Sequence, residues 1–345
     1  MRRTGYVGTL LILILLLASA VPAFSQAAKA KQLRTQPEYN SYMACYNEKD
    51  SAKKGDLCDK FTNDFKDSDY LAEGYRMAVG SYSQVKNWQK VYDIADRYGA
   101  LPAADKDTKL LVYLNAMNAA QSANDTNKLV SYGDKALSVD PNNLNALLIL
   151  SGVIAQQNPT NKAQLDKAAE MANKALAGVQ DLMAKAPADQ KAQFVQIDGN
   201  LHSTLGFVAY NEKDYKKSIA EYQTAIKDNM KDDVSHFYLA YDYIALMGQA
   251  SKAYLAAIDD EKAAIAAKAD QPTMDDLKAK TAGHADDVTK NRDMVIDELA
   301  LAVAINGPVA AQGQAKTELT KQWNAKNNSD AGLDAFIDQK KSQLK

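Results

Sequence analysis

Backbone breakers are scarce in this sequence. Its 345 residues hold 8 Pro and 16 Gly, about 7% together against a typical value near 12%. So little Pro and Gly in so long a chain favours helices. An excess of charge of one sign is also missing. Lys+Arg is 41, Asp+Glu is 43 and the net charge is −2. Phosphate binding needs a basic excess, so nucleic acid is not an expected partner. Only three His and two Cys are present, and no His lies near the Cys pair in sequence to complete a metal site with it. No phosphate loop of the Gly-x-x-x-x-Gly-Lys type, no dinucleotide Gly fingerprint and no His-Glu-x-x-His helix occurs. No Gly-x-Ser-x-Gly elbow occurs either. The sequence thus implies neither an enzyme nor a cofactor. Hydrophobic residues at 46% and charged residues at 24% exclude wholesale disorder. At roughly 150 residues per domain, the length allows two domains or one extended repeat array.

One long apolar run exists, and it stands at the start. Arg2 and Arg3 precede the Leu/Ile-rich stretch Val7–Ala20, and Ala23 and Ser25 form a small-x-small pattern. Basic region, apolar stretch and cleavage pattern together predict a secretory signal over 1–25, cut near Ser25–Gln26. The run spans about 14 residues, short of the roughly 20 that cross a bilayer. A retained anchor is the alternative. No Cys follows the run closely, the first being Cys45, which argues against a lipoprotein. The expectation is an exported chain, periplasmic or secreted, with no stable membrane insertion after cleavage.

Cys45 lies in the amphipathic stretch Tyr39–Asn47 and Cys58 in the next, Gly55–Phe65, with the polar segment Glu48–Lys54 between them. An antiparallel helical hairpin brings residues flanking its turn together. An oxidising compartment then favours a Cys45–Cys58 disulfide, and two half-buried thiols are the alternative.

The middle of the chain repeats. Leu205-Gly206, Asp214-Tyr215, Ser218, Tyr222, Ala225 and Ile226 give a large-small pair, a turn, and then small, aromatic, small and aliphatic residues about a helical turn apart. Small residues let two helices approach, and large ones fill the gap to the next pair. Leu110–Asn143 follows the same plan through Tyr113, Ala116, Ala120, Asn124-Asp125, Leu129, Gly133, Ala136 and the closing Asp140-Pro141. Ala72–Pro102 is a weaker copy. Another begins at Leu147, with its turn enlarged over Gln157–Gln164, and a further one opens at His236 over Asp233–Ala267. Tyr113 to Leu147 and His202 to His236 are each 34 residues apart; Leu147 to His202 is 55, which is 34 plus an insertion of 21 that is expected in the enlarged turn and around Asp181–Ala192, where Pro187 punctuates. This pattern resembles the tetratricopeptide repeat, a 34-residue helix–turn–helix unit.

The resemblance implies an all-α, right-handed α-α solenoid of about seven TPR-like helical hairpins with divergent capping helices. The expected organisation is a signal over 1–25, a capping hairpin with the Cys pair over 26–67, the repeat array over 68–268, and a degenerate hairpin with a capping helix over 269–345. In the last segment, Gln271-Pro272 is expected to end a helix. An apolar helix is expected over Met294–Ile305 and another over Val309–Lys326. Ser329 or Asp330 is expected to cap a last helix, Ala331–Leu344, docked by Leu333, Phe336 and Ile337.

Functional candidates are few. His202 and His236 occupy equivalent repeat positions, where packing is a better reading than a two-His metal site. The acidic runs Asp259-Asp260-Glu261, Asp275-Asp276 and Asp286-Asp287 alternate with Lys and read as solvated helix faces. The resemblance implies that the first helix of each hairpin lines a concave groove for an extended peptide or partner helix. The outward positions of those helices are Arg76, Asn118, Gln121, Asn145, Asn200, Phe207, Tyr210, Phe237 and Tyr241. Amides satisfy peptide backbone groups and aromatics anchor side chains. A carboxylate clamp needs several cations on this face, and only Arg76 qualifies. The expected function is a non-enzymatic protein- or peptide-binding scaffold of the bacterial cell envelope. A permanent structural or assembly subunit is the rival reading, and a glycan-binding protein a third.

Overall fold

The computed structural model describes residues 31–307 and 309–344. The expected signal segment and its cleavage point lie outside them. Fourteen α-helices make up the described residues, with short turns between them. The chain divides into two compact units, 31–154 and 155–344.

In the first unit, α1 (Gln36–Asn47) pairs with α2 (Ser51–Asp64), α3 (Leu71–Gln84) with α4 (Trp88–Gly99), and α5 (Lys106–Ser122) with α6 (Thr126–Val139). Each hairpin also packs on its successor, α2 on α3 and α4 on α5. The helix α7 (Leu144–Gln157) runs across the division. Leu150 of α7 fills the space over Gly133 of α6, where an added Cβ would sit 2.7 Å from the Leu side chain. The second unit holds α8 (Lys162–Lys185), α9 (Ala188–Asn211), α10 (Tyr215–Asp228), α11 (Asp233–Ala266), α12 (Gln271–Ile305), α13 (Val309–Asn327) and α14 (Leu333–Gln343). From α8 to α13 consecutive helices again pack as sequential hairpins, and α14 packs on α12, so the fold is all-α and TPR-like.

One turn device recurs. Lys86, Asn124 and Lys213 take positive φ values of 55°, 55° and 66°. The next residue then caps the following helix: Asn87, Asp125 and Asp214 each accept from a backbone N–H three residues on. The same residues donate backwards, Asn87 N to Tyr82 O, Asp125 N to Ala120 O and Asp214 N to Ala209 O, at 2.9–3.0 Å. One left-handed residue thus closes the carbonyls of one helix while its neighbour closes the amides of the next.

Four expectations are corrected. The segment 233–267 is not a hairpin: α11 is one helix of 34 residues. Gly248 costs a helix interior only about 1 kcal/mol. The stretch Gly248–Ser251 lacks the left-handed residue and the Asn or Asp cap. Those features appear instead at Lys268 (φ 56°) and Asp270. Gln271-Pro272 accordingly begins a helix rather than ending one, since Pro suits the first turn, and α12 runs unbroken for 35 residues. The turn expected to be enlarged over Gln157–Gln164 is only residues 158–161, and the 21-residue insertion lies about its other expected place, 181–192. It lengthens α8 and α9 to 24 residues each, against 14 in α10. At the C-terminus, α14 starts after Gly332 in the left-handed region (φ 84°), with no side-chain cap from Ser329 or Asp330.

The disulfide between Cys45 and Cys58 is formed, with both residues fully buried and a Cα–Cα distance of 4.8 Å. It joins α1 to α2 across a loop of sequence separation 13. Replacing both cysteines with Ala should lower stability by about 3 kcal/mol in the chain-entropy account. Urea unfolding followed by helical circular dichroism checks this, and an unchanged first midpoint would contradict it.

Candidate functional site

The polar candidates of the first unit sit on α3, α5 and α7. Arg76 is turned towards α5, where its Nε donates to Thr108 Oγ1 at 2.5 Å and its guanidinium meets Asp105 at 3.4 Å. Its charge is therefore already engaged by the neighbouring hairpin. Asn118 and Gln121 lie one turn apart on α5 and are half-buried. Asn118 Oδ1 is buried and accepts no hydrogen bond from the described residues. Asn145 stands half-buried at the start of α7. One residue of this face escaped sequence reasoning. Asn115, one turn before Asn118, accepts from Ser83 Oγ at 3.2 Å and donates to Leu111 O at 2.9 Å. Its i−3 spacing from Asn118 on one helix was the available signal.

The aromatic candidates belong to the second unit, and the structure draws four of the five residues there together. Phe207 meets Tyr238 edge-on at 5.3 Å between ring centroids. Tyr210 lies 5.9 Å from the same ring, and Phe237 stands 4.7 Å from Tyr241. Tyr238, absent from the candidates, is the hub, since it also stacks on Tyr222 at 6.0 Å. Phe237 is only 8% exposed and belongs to the core with Leu239, Leu299 and Leu319. Phe207, Tyr210, Tyr238 and Tyr241 are half-buried at the core's margin. Asn200 is exposed and apart from this group. Burial among neighbouring tyrosines pushes the Tyr210 hydroxyl up to about 12.

Beneath the aromatic margin, charged groups sit between helices. Asp242 of α11 is fully buried. Ser218 Oγ of α10 lies 2.6 Å from its Oδ2 and 3.0 Å from the carbonyl oxygen of Gly206 in α9. One hydroxyl proton cannot serve both acceptors. A protonated Asp242 resolves this: it donates to Ser218, which donates to Gly206. Burial, opposed by the Ser218 hydrogen bond, pushes the Asp242 carboxyl up to about 7. The two repeat histidines also join helices. His202 Nδ1 lies 2.6 Å from Glu221 and its Nε2 3.3 Å from Asp198. His236, 3% exposed, lies 2.5 Å from Glu298 of α12. The hydrogen bond with Glu221, opposed by burial, raises the His202 pKa. Among the described residues no group of three His, Cys, Asp or Glu is placed to hold a metal, and no helix is long and apolar enough to cross a membrane.

No family model matches the sequence, and no curated protein does. Among solved structures the chain is similar to the TPR2AB-domain:pHSP90-complex of yeast Sti1, at 12% identity over 89% of this chain and 95% of that one, with a TM-score of 0.26. It is similar also to the APC/C hetero-tetramer Cut9-Hcn1, at 16% identity over 82% of this chain and 54% of that one, with a TM-score of 0.24. At these scores neither likeness carries weight for arrangement or function.

A carboxyl raised by folding makes the folded state bind the extra proton. Stability should therefore fall as pH climbs from about 4, the ordinary carboxyl value, to about 7, the folded value of Asp242. The His202 contribution has the same sign, present below about 6.5 and lost as pH rises through its raised folded value. Asp242→Asn keeps a donor for Ser218 and removes the carboxyl's share. Its melting temperature should exceed the wild-type value most at pH 7 and above, by about 2–4 °C per kcal/mol, with the gap closing towards pH 4. Melting curves from pH 4 to 8 check this, and a pH-independent gap would contradict it.

Proposed function

We propose that the chain is a non-enzymatic protein- or peptide-binding scaffold of the bacterial cell envelope, exported by residues 1–25. Its partner lies along the first helices of the hairpins. The observation that carries this reading is the row of half-buried amides Asn115, Asn118 and Gln121 on α5. Side-chain amides both donate and accept, so the row can satisfy a partner's backbone groups. The half-buried rings of Phe207, Tyr210 and Tyr241 supply apolar anchors in the second unit. The non-enzymatic reading rests on the missing catalytic motifs, and the export reading on the basic and apolar segments that open the sequence. The rival, a permanently assembled envelope subunit, draws support from Leu255 and Ile265, 60% and 64% exposed on α11.

The test is a crosslinking pull-down of the full chain from its own envelope fraction, beside Asn118→Ala/Gln121→Ala and Phe207→Ala/Tyr241→Ala variants. Loss of one dominant partner from either variant is the expected result. Identical partners in all three samples would remove the hairpin face from consideration. Intact-mass measurement on the same material should give a chain beginning at Gln26.

A further inference from the structure

The helices α11 and α12 outrun the rest of their unit. Core residues of α11 end at Leu246, and those of α12 begin at Met294. Between these points, over 247–290, Ala257 is the only residue that is fully buried. At about 1.5 Å per residue, the α11 part of this arm extends roughly 30 Å. Helices of this length draw most of their stability from packing, and two helices alone leave each other's outer sides bare.

The outer side of α11, away from Ala257, carries Gly248, Lys252, Leu255, Ala256, Asp259 and Ala263, all exposed. Leu255 is 60% exposed. Gly248, Lys252, Leu255, Asp259 and Ala263 follow three- and four-residue steps, the spacing of a helix-packing seam, and Ala256 stands one turn from both Lys252 and Asp259. Their order is self-complementary about the midpoint between 255 and 256. Turned end for end, the row places Gly248 on Ala263, Lys252 on Asp259 and Leu255 on Ala256. Asp259 now meets only Lys262 of its own helix, 3.0 Å away and in solvent.

We infer that this face of α11 packs antiparallel against the same face of a second copy of the chain, around a two-fold axis at Leu255 and Ala256. Two-fold contacts require that a residue's partner on the second copy be matched in return, and the Lys252–Asp259 pairing meets that demand twice. Gly and Ala at the ends let the helices approach, and Leu255 loses its exposure at the centre. Four to five turns of paired helix bury on the order of 1,000 Å² in total, the lower limit for a specific interface. The dimer is therefore weak and concentration-dependent.

Sedimentation velocity of the full chain tests this over about 1–200 µM, a range set by micromolar affinity. The wild-type weight-average mass should rise from monomer towards dimer. Lys252→Asp and Asp259→Lys should each weaken association about tenfold or more, and the double swap should restore it to within about threefold. Both exchanged side chains are exposed, so folding is not at stake, and circular dichroism of each variant checks this. Under oxidation Leu255→Cys should crosslink to its own copy near the axis, and Ala263→Cys should not. A wild type that stays monomeric, single swaps without effect, or equal crosslinking at both positions would each overturn the inference.

Discussion

A helical hairpin cannot bury its own apolar stripe. Two helices cover one side of each other and leave the rest open, so each pair borrows a surface from the next. The structure follows from that constraint. Tyr82, Tyr222, Met117 and Leu150 are buried to below 2% exposure; Tyr82 lies against Gly55 of α2, Tyr222 against Gly206 of α9 and Leu150 against Gly133 of α6. Glycine marks the closest approaches. An added Cβ at Gly206 would stand 2.9 Å from the Tyr222 ring, and nothing larger fits without moving that ring. The repeated turn, one left-handed residue followed by an Asn or Asp cap, holds successive helices antiparallel at this separation. Where the turn is missing, as at Gly248, the helix continues.

Polar groups at the seams convert packing into register. Asp59 of α2 pairs with Arg97 and with Lys90 of α4. Burial works against its charge, yet the two cations hold the carboxyl below its ordinary range. The seam of Asp242, Ser218 and Gly206 does the same for α9, α10 and α11 with a shared proton in place of a salt bridge. His236 and Glu298 tie the start of α11 to the end of α12. Each group costs stability if left alone, so each favours one alignment of neighbouring helices over a slipped one. A fixed alignment in turn fixes the outward side chains, which is what recognition of a partner requires.

The sequence made much of this legible because its signals were local. Asn124-Asp125 and Lys213-Asp214 announce turns within a few residues. The 34-residue spacings announce the hairpins, and Cys45 and Cys58 flank a short polar stretch whose first residues, 48–50, form the turn while the rest opens α2. What stayed hidden depends on distance. Nothing within Ser251–Ala257 distinguishes a helix that continues from one that turns back, except the absence of a cap. Phe237 reads as outward by repeat position, yet α12 and α13 supply the residues that bury it, Leu299 and Leu319 among them. Those helices belong to the degenerate C-terminal segment, where the repeat positions are not readable. Tyr238 was overlooked for the same reason, since its partners Phe207, Tyr210 and Tyr222 come from two other helices. The amide face of α5 was half legible: Asn118 and Gln121 follow from helical spacing, while the Asn115–Ser83 bond needs α3 beside it.

If borrowed burial is what holds each helix, protection should track neighbours rather than intrinsic helix propensity. Native-state hydrogen exchange along α11 in dilute protein measures this most directly. Residues 237–246 belong to the core shared with α9, α10, α12 and α13, whereas among residues 250–265 only Ala257 is fully buried. Exchange should be slow in the first stretch and markedly faster in the second, within one unbroken helix. Uniform protection along all 34 residues would contradict the claim and assign the helix's stability to its own sequence.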